Sequence, residues 1–269
     1  HVSDPMANAK RLIRFYRAQF RLSVSSELEY KGAVWLWALV GMLQPLVTGF
    51  VWIATSESAQ ERSFHALYFT AGAVFANLTS VWVMWDYRQR ITSGTFSSYL
   101  LTPVHPFHRD LCAMLASKVV GLPIVLTGAV LTGAAMGASL PPSISGALLG
   151  LVVLALAVAL RFVVEWVLAL AAFWMVRTDG LNSLYFAVAT LLSGAFAPPD
   201  RLPAWMRAAS EFTPFPYFLG YPLEIFTART TSRDGLRVIM VQLVMILIFG
   251  VLGRLIYKRA VRHYEGVSS

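Results

Sequence analysis

Charge is scarce in this chain. Asp, Glu, Lys and Arg make up 13% of the 269 residues while hydrophobic residues make up 57%, against roughly 25% charged residues in a soluble domain. With a mean hydropathy of +0.61, an ordinary soluble protein is excluded. Cysteine is nearly absent too. The single Cys112 rules out an internal disulfide framework and a multi-cysteine metal cluster, and reads as a small buried apolar residue. Lysine is equally sparse: Lys10, Lys31, Lys118 and Lys258 are the only four, and none follows a glycine. The phosphate-cradling string Gly-x-x-x-x-Gly-Lys-Ser/Thr is therefore missing. His105 and His108 lack a third partner for a metal, and no Ser, His and acid constellation supports hydrolysis. No catalytic, cofactor or metal residue is assigned.

What the chain has in abundance is long apolar runs. A helix needs about 20 predominantly apolar residues to cross some 30 Å of hydrocarbon, and six windows meet or approach that: Ala33–Ile53, Ala66–Trp85, Leu111–Met136, Ile144–Val176, Leu181–Ala197 and Val238–Tyr257. The fourth is too long for one perpendicular crossing, so it tilts or projects beyond the bilayer. The fifth is short and runs into Pro198-Pro199. These windows predict an all-α integral membrane fold of six transmembrane helices. Residues 1–5 read as a cloning remnant before Met6, 6–32 as a cytoplasmic amphipathic helix, 33–260 as the six-span domain and 261–269 as a cytoplasmic tail.

Basic residues orient the spans, because cytoplasmic loops carry an excess of Lys and Arg. One side holds 14, from the N-terminal arm, the segment 86–110, Arg177 and the tail; the other holds six, namely Arg62, Arg201, Arg207, Arg229, Arg233 and Arg237. Both termini are therefore expected in the cytoplasm. Topology accounts for the net charge of +8, and no nucleic-acid partner is expected.

Three segments and one charged pair carry the functional expectations. From Lys10 to Tyr30, Ile13, Tyr16, Phe20, Val24 and Leu28 recur at spacings of three and four, with Arg14, Arg17 and Arg21 off the stripe. That pattern makes an interfacial helix meeting membrane lipid. Between the second and third spans, a short helix bearing Phe96, Tyr99 and Leu100 stops at Pro103, and its apolar stripe needs a partner surface. Before the last span, prolines at 198, 199, 203, 214, 216 and 222 break any continuous helix, while aromatics such as Trp205 and Tyr217 favour a membrane interface. Within the fourth span, Arg161 and Glu165 stand one turn apart and can pair. A charge at that depth is costly and normally paired or facing an interior, so Arg161 and Glu165 read first as a structural pair, and with Trp166 also as the candidate substrate path.

The string Gly94-Thr-Phe-x-x-Tyr99-Leu-Leu-Thr-Pro103 after the second span resembles the coupling-helix region of the ABC type-2 exporter permeases. Ser193-Gly194, Pro198-Pro199, Leu202-Pro203-Ala-Trp205, Pro214-Phe-Pro-Tyr217 and Tyr221-Pro222 resemble that superfamily's outer re-entrant region, most closely in the branch that includes viologen exporters. The acidic residue often found beside the Gly-Thr is missing. The resemblance implies a permease subunit of the bacterial cytoplasmic membrane, without an ATPase site, exporting a small hydrophobic or cationic compound. It implies two cytosolic ATPase subunits that carry ATP and Mg, and a second permease, identical or related. Arg90, Gly94, Thr95, Phe96, Tyr99, Leu100 and Pro103 are then the coupling residues. Gly194, Pro198, Pro199, Pro203, Trp205, Pro214 and Tyr217 are the outer re-entrant gate. A lipid or polysaccharide cargo, or a scaffold that moves nothing, are the alternatives.

Overall fold

The computed structural model describes residues 5–102, 104–175 and 177–267, and among them the only regular elements are helices. Pro103 and Val176, assigned above to a helix stop and a span end, lie outside the described residues, as do 1–4 and 268–269. Five segments are long and apolar enough to cross a membrane: Lys31–Ala54, Ala59–Thr92, Pro106–Met136, Ile144–Phe173 and Arg233–Tyr264. The chain is a multi-pass membrane protein.

α1 (Pro5–Glu29) forms as the periodicity predicts and packs on α6 (Pro106–Met136). The middle of its stripe, Tyr16, Phe20 and Val24, is half-buried, while Ile13 and Leu28 at its ends stay exposed. The Tyr16 hydroxyl lies 2.6 Å from Nδ1 of His108, so much of this face meets protein where the pattern alone suggested lipid. A turn at Tyr30 leads into α2 (Lys31–Ala54), which packs on α6. Trp35 Nε1 donates to the Val120 carbonyl at 3.2 Å.

The second apolar window is not one helix. α3 (Ala59–Thr79) ends, residues 80–82 are irregular, and α4 (Val83–Thr92) resumes. Thr79 and Ser80 donate their hydroxyls to the carbonyls of Ala76 and Asn77, competing with the helical ladder, and Lys118 of α6 donates to Ser80 Oγ at 2.5 Å. A short α5 (Phe96–Leu100) follows, then α6, with Pro106 in its first turn. The over-long fourth window resolves into α7 (Ile144–Ala169) tightened into a 3-10 turn, Leu170–Phe173.

α8 (Asp179–Leu192) has 14 residues, about 21 Å of helix. From Ser193 the chain breaks into a 3-10 turn at Pro199–Arg201, α9 (Ala204–Glu211), a second 3-10 turn at Phe215–Tyr217 and α10 (Gly220–Phe226), as the prolines predict. α11 (Ser232–Val267) is one 36-residue helix that extends well past both ends of the predicted sixth window.

Close approach of α10 to α7 rests on one missing side chain. A Cβ on Gly150 would stand 2.7 Å from Cα and Cβ of Phe226, so the helices would have to separate. Gly150→Ala should cost roughly 1–3 kcal/mol, read as a lowered apparent Tm in detergent. Gly250→Ala, where nothing lies within 4 Å of the added atom, should leave Tm unchanged.

Candidate functional site

The loop after α4 turns at Gly94, whose φ of +71° suits glycine. Thr95 Oγ1 donates to the Arg90 carbonyl at 3.3 Å, closing the turn. The expectation that this helix shows its apolar stripe to a partner needs correction at Phe96. Its side chain is fully buried, with ring centroids 4.9 Å from Phe173, 5.6 Å from Tyr87 and 5.8 Å from Tyr264. Tyr99 and Leu100 are half-buried. The exposed face of α5 is instead Ser97 and Ser98, continued by Leu101 at 88% exposure. Arg90 lies beneath the loop, with its guanidinium 4.7 Å from the Tyr99 ring centroid and Nη1 bonded to Asp110 Oδ1 at 2.6 Å. Asp110 was not singled out from sequence, since 20 positions separate it from Arg90.

Inside the bundle, Arg161 and Glu165 do pair, with Nε 2.8 Å from Oε1. Tyr185 of α8 donates its hydroxyl to the same Oε1 at 3.0 Å, and Arg161 Nη1 reaches Thr79 Oγ1 at 3.4 Å. This polar knot joins α3, α7 and α8. Glu165 is fully buried. Trp166 is buried as well, and donates Nε1–H to the Tyr87 hydroxyl at 2.9 Å. Arg161, Glu165 and Trp166 thus face partners from neighbouring helices. Tyr185 and Thr79 were not anticipated, because the hydropathy of their segments hides single hydroxyls.

At the opposite end, the Gly194 carbonyl accepts from the Tyr68 hydroxyl at 3.1 Å, and Gly194 has a φ of +92°. A Cβ there would meet Gly220 Cα at 2.6 Å, and Gly220 N–H donates to the Ser193 carbonyl at 2.7 Å. Pro198 and Pro199 are buried at this crossing. The Tyr217 carbonyl is held by Gln242 Nε2 of α11 at 3.0 Å. Pro203 and Trp205, by contrast, are exposed at the start of α9, and Pro214 is half-buried before the second 3-10 turn. Gly194, Pro198, Pro199 and Tyr217 therefore belong to one packed unit from which Pro203 and Trp205 project. Arg201 pairs with Glu61 of α3 at 2.5 Å, fastening that unit to the bundle.

His105 and His108 serve separate local roles. His105 Nδ1 accepts from the Phe107 N–H at 3.2 Å and its ring lies 4.1 Å from Tyr257, whereas His108 meets Tyr16. Burial, reinforced by His108 and Arg254, pushes the His105 imidazole down to about 4.

The architecture is that of a helical, multi-pass membrane protein. Its loop helix is rooted in the bundle at one end, and a broken, glycine-crossed segment closes the other. A family model described as ABC-2 family transporter protein matches residues 58–268, and the chain belongs to that family. It is accordingly a permease subunit of an ABC transporter, the part without an ATPase site of its own, and such permeases work with ATPase subunits. α1 and α2 precede the matched region. No curated protein matches the chain.

Two stability experiments follow from this geometry. Glu165→Ala leaves the half-buried Arg161 without its carboxylate and should cost about 3 kcal/mol. The double replacement Arg161→Met with Glu165→Leu removes both charges and should recover most of that loss; thermal unfolding in maltoside micelles reads both. For His105 the folded value lies below the ordinary 6.5, so the unfolded chain binds the extra proton. The stability it protects is complete above about 6.5 and is lost as pH falls towards 4. His105→Asn should flatten that part of the pH–Tm profile.

Proposed function

We propose that the chain is the membrane half of an ATP-driven exporter in a bacterial cytoplasmic membrane, with both termini in the cytoplasm. α8 together with residues 193–199 makes a sixth crossing. The segment from Pro199 to α10 re-enters the outer leaflet as a gate, shielded by α3, α7 and α11, because broken backbone in hydrocarbon needs protein around it. Two cytosolic ATPase subunits carry ATP and Mg, and a second permease, identical or related, completes the translocation path. The cargo is a small hydrophobic or cationic compound of the viologen kind.

The observation that carries this reading is the rooting of α5. Phe96 plugs the helix into Tyr87 of α4, Phe173 after α7 and Tyr264 of α11, while Leu101 beside it is 88% exposed. Docking and transmission are thereby divided between neighbouring residues. An ATPase subunit grips the Ser97, Ser98 and Leu101 face, and its movement passes through Phe96 into three helices at once. In affinity purification from the native host, Leu101→Asp should reduce the co-purifying ATPase subunit about tenfold, as loss of a central contact does, with Tm unchanged. Phe96→Asp should instead lower Tm by placing a charge in the core. Wild-type recovery of the ATPase subunit by Leu101→Asp would overturn the docking assignment.

A further inference from the structure

A cavity of about 680 Å³ lies between α1, α2, the α3–α4 break and α6, within the range of sites for small molecules. Trp37, Trp82 and Trp85 form one side. The Trp82 ring centroid is 6.1 Å from Trp37 and 5.2 Å from Trp85, and Trp37 and Trp82 are both more than half exposed, at the rim.

The charges around it are unequal. Glu27, Asp86 and Asp110 line the cavity against a single lysine, Lys118, which is engaged with Ser80 Oγ. Arg90 approaches Asp110 at 2.6 Å and Asp86 at 3.7 Å. Asp110 is buried and held by Arg90, whereas Asp86 is exposed and only loosely paired with it. A ligand that meets the accessible carboxylate of Asp86 beside Glu27 is favoured if it brings positive charge or a donor. Tryptophan faces attract cations above all other side-chain rings. An anion would meet three carboxylates.

We propose that this cavity binds an organic cation, an ammonium or phosphonium charge on an apolar body, with the charge at Asp86 and the body on the three tryptophans. The site rests on the exporter reading only for its consequence, that the bound cation is cargo; occupancy does not depend on it. Glu165, fully buried and committed to Arg161 and Tyr185, lies outside the lining, so cation recognition falls to Asp86 in place of the span-centre carboxylate.

Radiolabelled tetraphenylphosphonium and its anionic counterpart of the same shape, tetraphenylborate, separate charge from hydrophobicity. On the full chain in neutral maltoside micelles, the phosphonium should fill one saturable site that the borate does not compete for. Asp86→Asn and Trp82→Ala should each weaken binding about tenfold, the scale of a desolvated cation–π contact, with Trp82→Phe close to wild type. Trp82→Phe also serves if Trp82→Ala fails to fold. Adding phosphatidylethanolamine distinguishes two sources of the same chemistry. Displacement of the probe identifies a lipid headgroup ammonium as the natural occupant, and retention identifies a soluble cation. Equal binding of borate, or wild-type affinity in both Asp86→Asn and Trp82→Ala, would overturn the site. Intact binding without ATP-dependent flux would leave the site standing and remove the cargo reading instead.

Discussion

The buried pairing of Arg161 with Glu165 is the constraint on which the rest of this bundle depends. Two charges in an apolar interior are tolerable only when each is answered by well-placed partners. The answers come from three different helices. Tyr185 brings α8 to α7, and Thr79 brings in the end of α3. α8, at 14 residues, is too short to be placed by length alone, and its position follows from Tyr185. Thr79 both accepts from Arg161 and donates back to Ala76, so the polar knot sits where α3 stops being a helix.

That break shows how irregular backbone is accommodated in a chain otherwise built of helices. At residues 80–82 the freed groups find Ser80, its Asn77 partner and Lys118. At Ser193–Gly194 they find Tyr68 and Gly220. At the first break the replacement is local, with Lys118 holding the Ser80 hydroxyl, and at the second a side chain and a backbone group from other helices replace the ladder bonds, which is the condition for such segments at membrane depth. Both breaks lie on elements tied to the Arg161 knot, one at the end of α3 and the other after α8.

The sequence made the apolar helices legible because burial in lipid requires long runs with little else in them. α2 matches its window within two residues at either end. The i,i+4 spacing of Arg161 and Glu165 was enough to foresee their contact. The interruption of Ala66–Trp85 was not legible: Thr79 and Ser80 look like minor polar residues in an apolar run, and the partner that holds Ser80 at the break is a lysine 38 positions away. Phe96 failed for a related reason. A stripe on a short helix says that one face needs cover, and nothing in the local pattern says that Tyr87, Phe173 and Tyr264 supply it. The carboxylates around the tryptophan cavity were equally hidden, since Asp86 alone reads as a span boundary and Glu27 as a surface residue of α1.

α11 is a single 36-residue rod, about 54 Å long. Near one end Tyr264 touches Phe96, and further along Gln242 holds the carbonyls of Val153 and Tyr217. No proline interrupts the helix between those two grips. The contact with α5 and the anchor of the Tyr217 turn thus lie on one continuous helix. On the coupling proposed for α5, one helix would then carry a push at that end to the anchor at the other.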